Sequence, residues 1–120
     1  MTALRKTLAS HAGLSKPSSI VAGELHWSDY SGRVTASGVP VLLRPIEFRL
    51  LGQLMSHAER VLTRAELLEK TWQKETCIGE RTIDVHIRRL RMSLQPFGMD
   101  SWIQTVHTRG YRFSPSLTHL

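Results

Sequence analysis

Between positions 81 and 94 the sequence reads Arg81-Thr82-Ile83-Asp84-Val85-His86-Ile87-Arg88-Arg89-Leu90-Arg91-Met92-Ser93-Leu94, and its spacing separates cations from apolar residues. At about 100° per residue, Ile83, Ile87, Leu90 and Leu94 fall on one narrow stripe suited to a core. Arg81, Val85, Arg88 and Met92 fall opposite, with Thr82 and Arg89 along one edge. A guanidinium forks onto guanine or pairs with a phosphate, a threonine hydroxyl bonds phosphate, and valine methyls pack against a thymine methyl. This is the chemistry of a helix laid in a DNA major groove. The same residues also suit an ordinary solvated basic face, so the helix alone does not decide. Asp84 and Arg88 stand four apart, a spacing that predicts an ion pair and an oriented Arg88.

A second basic group follows. His107, Thr108, Arg109 and Gly110, with Arg112 just after, read as the tip of a hairpin over residues 102–114, with Tyr111 and Phe113 on its return strand. A slender basic tip suits a minor groove, where negative potential is deepest over narrow A·T-rich stretches. Taken alone it is a solvent-exposed turn chosen for its glycine. A candidate reading helix followed by a basic hairpin makes the DNA reading the stronger one.

Other chemistries find no support. The six histidines and the single Cys77 show no zinc-site spacing, and no phosphate-cradling glycine loop or catalytic carboxylate pair is present. No metal, no cofactor and no enzyme is expected. His86 reads as a groove-edge or hydrogen-bonding residue rather than a ligand. Trp27, Trp72 and Trp102 read as core anchors, with an indole-to-phosphate bond from Trp72 as the lesser alternative.

The elements that must position these groups follow from punctuation and period. Residues 20–22, 25–27, 33–36 and 39–43 read as short antiparallel strands, separated by Ser28-Asp29-Tyr30-Ser31-Gly32 and by Ser37-Gly38. A first helix opens at Pro45, carries Phe48, Leu51, Leu54 and Met55 as its apolar stripe, and ends over residues 57–60. Thr63 and Glu66 form a capping box for a second helix whose shared face is Ala65, Leu68 and Trp72. The third helix stops before Pro96 and Gly98. Residues 1–19 read as a tail or linker, preferred over a short helix across residues 2–11, and residues 115–120 as a C-terminal tail.

Composition agrees. The 120 residues suit one domain, and the 41% hydrophobic content is enough for a modest core. The net charge of +6 favours a polyanionic partner. No apolar run approaches the roughly 20 residues needed to cross a bilayer, and no signal peptide is legible. One cysteine forbids an internal disulfide, which suits the cytoplasm.

The segment from Arg81 to Arg91 resembles the recognition helix of OmpR/PhoB-type transcription factors, the PhoB branch in particular. Glu47-Phe48 with Leu50-Leu51, Arg60-Val61-Leu62-Thr63-Arg64 with Leu67-Leu68 and Trp72, Gln104-Thr105-Val106 and Gly110-Tyr111-Arg112-Phe113 extend the likeness over residues 20–114. The resemblance implies an α+β winged helix-turn-helix: an N-terminal antiparallel four-stranded sheet, three helices and a C-terminal hairpin wing. It implies double-stranded DNA as partner, read by Arg81, Thr82, Val85, His86, Arg88, Arg89 and Arg91 in the major groove. His107, Arg109, Gly110 and Tyr111 of the wing would lie on backbone or minor groove. It further implies that Gln73, Lys74, Glu75, Thr76, Cys77, Ile78 and Gly79 form a loop toward RNA polymerase, and head-to-tail dimers on direct repeats. The function expected is transcription regulation as the effector domain of a phosphorelay response regulator or of a receiver-free relative. Nothing in these residues offers a phosphoacceptor aspartate with its acidic pocket and lysine. A winged helix that keeps the fold and binds protein instead is the alternative, and a salt series on DNA separates the two.

The sequence departs from that pattern at two places. Arg44 stands where the family has Thr before the helix-opening proline, so that N-cap is lost or replaced. His107 and Thr108 stand where the wing has Arg and Gly, with Arg109 supplying charge two residues on.

Overall fold

The computed structural model describes residues 19–72 and 81–115, with Trp72 and Arg81 described through their backbone alone. The expectations for the N-terminal tail, the 73–79 loop, the Trp72 and Arg81 side chains and the last five residues lie outside the described residues. Strands β1 (Ser19–Ala22), β2 (Leu25–Ser28), β3 (Arg33–Ala36) and β4 (Val39–Pro40) form one antiparallel meander in that order. Helices α1 (Pro45–Ser56), α2 (Arg64–Trp72) and α3 (Arg81–Leu94) follow, then short 3-10 turns at Gln95–Phe97 and Asp100–Trp102. Strands β5 (Ile103–Val106) and β6 (Gly110–Phe113) close the chain as a separate antiparallel hairpin. The expected α+β winged helix is the observed one.

The alternation of β2 and β3 explains how the sheet meets the helices. Leu25 pairs with Ala36 and Trp27 with Val34, and all four are buried on one face. The Trp27 ring stacks on Phe48 at 4.8 Å between centroids, and its Nε1–H donates to the Phe48 carbonyl at 2.9 Å. It lies directly over Gly52, where an added Cβ would stand 2.3 Å from the ring. Sheet and α1 are thereby locked in one relation. Trp27 and Trp102 are the core anchors expected of them.

Three local expectations need correction. The fourth strand ends at Pro40 rather than at Leu43. Pro40 has no N–H, and although the Val41 N–H still reaches the Val34 carbonyl (2.8 Å), the chain then leaves with Leu42 exposed and turns into α1. The inward face of α2 is Leu67 and Thr71, with Leu68 half-buried; Ala65 is exposed. Thr71 is tolerated there because its hydroxyl donates to the Leu67 carbonyl one turn back. The hairpin begins at Ile103, because Trp102 belongs to the preceding 3-10 turn.

The caps match the reading more closely. Thr63 Oγ1 accepts the Glu66 N–H at 3.0 Å, and Glu66 accepts the Thr63 N–H at 2.9 Å. That backbone donor holds the Glu66 carboxyl below its usual value. The stabilisation it gives is therefore complete at neutral pH and is lost as acid protonates the folded form. At α1, Arg44 is extended before Pro45 and its side chain makes no cap bond, since a guanidinium carries no acceptor. Only the reverse half survives: the Arg44 N–H donates to Glu47 Oε1 at 3.3 Å.

Candidate nucleic-acid interface

Ile83, Ile87, Leu90 and Leu94 are fully buried, which fixes the opposite side of α3 outward. Val85 is 48% and Met92 62% exposed, and Arg88 and Arg89 are exposed beside them. Thr82 is half-buried at the start of the helix. Two exposed guanidinium groups, valine and methionine on one face of a 14-residue helix are what the spacing predicts.

The arginines divide into two groups that the sequence does not distinguish. Arg91 donates from Nε and Nη2 to the Ile103 carbonyl (2.9 and 2.7 Å), and from Nη2 to Thr105 Oγ1 (2.9 Å). Arg64 Nε donates to Asp84 Oδ1 at 2.8 Å, and Arg49 to the Thr71 carbonyl at 2.8 Å. Arg112 holds Gln104 across the hairpin at 2.8 and 3.1 Å. These arginines are struts. Among the described residues the ion pairs are Arg60–Glu66, Arg64–Asp84 and His86–Glu47, and none takes Arg44, Arg88, Arg89 or Arg109.

A polar knot joins α3 to α2 and the wing. The Tyr111 hydroxyl donates to Asp84 Oδ1 at 2.5 Å, and Arg64 and Arg91 each lie 5.6 Å from the Tyr111 ring centroid. Burial, and then the bond to Asp84, push the Tyr111 hydroxyl above its usual pKa, so it remains a donor. Asp84 in turn raises Arg64. The ion pair expected between Asp84 and Arg88 is replaced by this one: Asp84 reaches across to α2 and the wing, leaving Arg88 facing outward.

His86 takes the hydrogen-bonding role expected as one of its alternatives. Its side chain is 15% exposed, and Nδ1 lies 2.6 Å from Glu47 Oε2. Glu47 is itself 3% exposed and binds the Arg44 amide through its other oxygen. This bridge from α1 to α3 was missed in the sequence, although Glu47 occupies the third position after a helix-opening cap, where a carboxylate reaches back to the backbone.

At the wing, His107, Thr108 and Arg109 are exposed, while Gly110 and Tyr111 are buried. Thr108 and Gly110 both have positive φ, and of the two it is Thr108, at 61°, that takes the left-handed helical corner of the turn. Gly110, at φ 151°, packs against the Leu62 backbone, so the missing Cβ serves that close contact. A β-branched residue in the left-handed region is strained by about 1–2 kcal/mol. Thr108→Gly is expected to raise stability by roughly 0.5–1 kcal/mol after the glycine entropy is subtracted, read as a higher urea midpoint with unchanged slope. A lower midpoint refutes the strain.

Among the described residues no group of acidic, histidine or cysteine side chains is arranged to hold a metal, and no helix is long and apolar enough to cross a membrane.

Residues 38–113 match the family described as the C-terminal part of transcriptional regulatory proteins. The chain is similar to the phosphate regulon transcriptional regulatory protein PhoB of Escherichia coli, 49% identical over 84 residues, covering 70% of this chain and 37% of that protein. It is also similar to PhoB of Pseudomonas aeruginosa, 45% identical over 95 residues, covering 79% of this chain and 41% of that protein. The chain thus spans less than half the length of these relatives. Among solved structures it is similar to the Klebsiella pneumoniae RstA DNA-binding domain in complex with the RstA box: TM-score 0.69 at 30% identity, covering 82% of this chain and 98% of that one.

Proposed function

We propose that this chain, which belongs to the family of C-terminal domains of transcriptional regulatory proteins, binds double-stranded DNA sequence-specifically and regulates transcription. The observation that carries the reading is the segregation on α3: a fully buried Ile/Leu stripe, and opposite it Val85, Arg88 and Arg89 exposed, with no described ion pair on either arginine. The helix lies in the major groove, with Arg88, Arg89 and Val85 toward bases and phosphates. The wing tip places Arg109 on the adjacent minor groove. Arg91, His86, Gly110 and Tyr111 act behind the contact surface by holding helix and wing.

The wider setting is part of the proposal. The domain serves as the effector of a phosphorelay response regulator or a receiver-free relative, in the cytoplasm, as a head-to-tail dimer on direct repeats. Residues 73–79 contribute the contact with RNA polymerase. Glu75→Ala is expected to lower activated transcription in vitro at unchanged DNA affinity, and a parallel loss of both removes the polymerase role.

The test of DNA binding is selection from random duplexes, followed by titration of the selected and a scrambled site across a salt series. A steep fall of affinity with salt and a preference of at least about a thousandfold for the selected site are expected. No enriched site and a flat salt response would favour a protein-binding winged helix. On the selected site, Arg109→Ala is expected to weaken binding by about 1 kcal/mol more with an A·T-rich than a G·C-rich flank. His107→Ala is expected to act less. Equal small effects would make the wing a scaffold only.

A further inference from the structure

A groove of about 500 Å³ runs beside the C-terminal half of α3, between that helix and the connection from β4 to α1. Arg44 and Arg89 line it from opposite elements, Glu47 lies at its base, and Leu42 and Met92 form an exposed apolar rim. Glu47 is occupied: one oxygen takes His86 and the other the Arg44 amide. The Arg44 guanidinium enters none of the described ion pairs and makes no cap bond, so it contributes nothing visible to the start of α1.

We propose that this groove takes a backbone phosphate of the bound DNA between Arg44 and Arg89, making Arg44 a contact that the family's threonine at this position would not provide. The inference rests on the DNA-binding reading, because Arg89 belongs both to the groove and to the exposed face of α3. With that face against a major groove, the groove's arginines meet the adjoining sugar-phosphate strand. An arginine there supplies a full charge and a forked donor set, where threonine supplies one neutral hydroxyl. The exchange has a second consequence. Threonine is a good N-cap and arginine is not, so the chain trades helix-start stability for charge at the groove.

The experiment compares wild type, Arg44→Thr and Arg44→Lys on one selected duplex and one scrambled duplex between 50 and 200 mM salt, with melting midpoints alongside. Arg44→Thr is expected to bind both duplexes more weakly and to reduce the salt slope by about 0.9, the value of one phosphate contact on duplex DNA. Its deficit relative to wild type should therefore shrink about 3.5-fold across that salt range. Its melting midpoint is expected to rise, because threonine restores the cap. Arg44→Lys should keep the wild-type slope. Opposite signs on affinity and stability are the signature, since a merely structural Arg44 would move both downward together. An unchanged slope in Arg44→Thr, or a fall in affinity accompanied by a fall in midpoint, overturns the proposal. So does an acidic protein partner that competes for Arg44 while DNA affinity stays level. Failure of wild type itself to bind DNA overturns both this inference and the reading beneath it, whereas wild-type binding with an indifferent Arg44 overturns this one alone.

Discussion

Gly110→Ala is expected to lower folding stability by about 3–5 kcal/mol, a large part of what a small domain possesses. An ideal Cβ at Gly110 would stand 2.0 Å from the Leu62 carbonyl oxygen and 2.9 Å from both the Leu62 carbonyl carbon and Thr63 Cα. All three are backbone atoms, so no rotamer change relieves the clash. The Leu62 segment is also the hairpin's third pairing partner: the Leu62 N–H reaches the Tyr111 carbonyl at 2.9 Å, and the Tyr111 N–H reaches the Leu62 carbonyl at 3.0 Å. Separating the strands enough to admit a methyl group breaks both bonds, at about 1 kcal/mol each, and exposes Leu62, now fully buried. To this is added the strain of an L-residue at φ 151°. The measurement is urea unfolding, with amide exchange at positions 62 and 111. Stability within about 1 kcal/mol of wild type, with both amides still protected, would show that the wing can dock elsewhere.

That prediction and the one for Thr108 come from the same hairpin with opposite signs. A sequence reader sees a glycine and a threonine near a turn and assigns the turn's geometry to the glycine. The structure places the left-handed corner at Thr108, and at Gly110 both a positive φ of 151° and the backbone contact. The difference arises because local punctuation predicts local geometry, whereas Gly110 answers to residue 62, far away in the chain. The elements themselves were legible because their causes are local. The capping box at Thr63 and Glu66, the proline opening α1 and the period of Ile83, Ile87, Leu90 and Leu94 each act within a few residues. The exposed face of α3 was legible by subtraction from its buried stripe. What stayed hidden was the partition of like residues by distant partners. Arg88 and Arg89 face out, while Arg91 turns to the Ile103 carbonyl; Asp84 prefers Arg64 and Tyr111 to the neighbour its helical spacing offers. The Glu47–His86 bridge spans 39 positions and leaves no periodic trace.

Arg89 and Arg91 give the sharpest test of that partition, because they are chemically identical and stand two residues apart on one helix. Arg89 is exposed, lines the groove beside α3 and enters none of the described ion pairs, so its loss removes no described support of the fold. Arg89→Ala is expected to leave the unfolding midpoint unchanged and to weaken specific DNA binding by about 1–3 kcal/mol, a factor of roughly 5 to 150. If Arg89 reads a base, the loss falls on the selected site; if it only neutralises phosphate, scrambled DNA weakens equally. Arg91 makes three hydrogen bonds to the strand that begins the wing and lies over the Tyr111 ring. Arg91→Ala strands the Ile103 carbonyl, on a residue 1% exposed, without its charged donor. It is expected to lower stability by about 2 kcal/mol, given that bonds to charged groups contribute about 1.5–3 kcal/mol and that part of this side chain meets water. Its effect on DNA should follow from a loosened wing, and therefore be larger on sites with an A·T-rich flank than on those without. The two substitutions are to be compared by urea unfolding and by titration on the same duplexes. Equal loss of stability from both would make Arg89 a strut. Arg91→Ala weakening DNA binding on every flank while its unfolding midpoint stays at the wild-type value would make Arg91 a direct contact, and the division of the arginines into struts and contacts would fall with it.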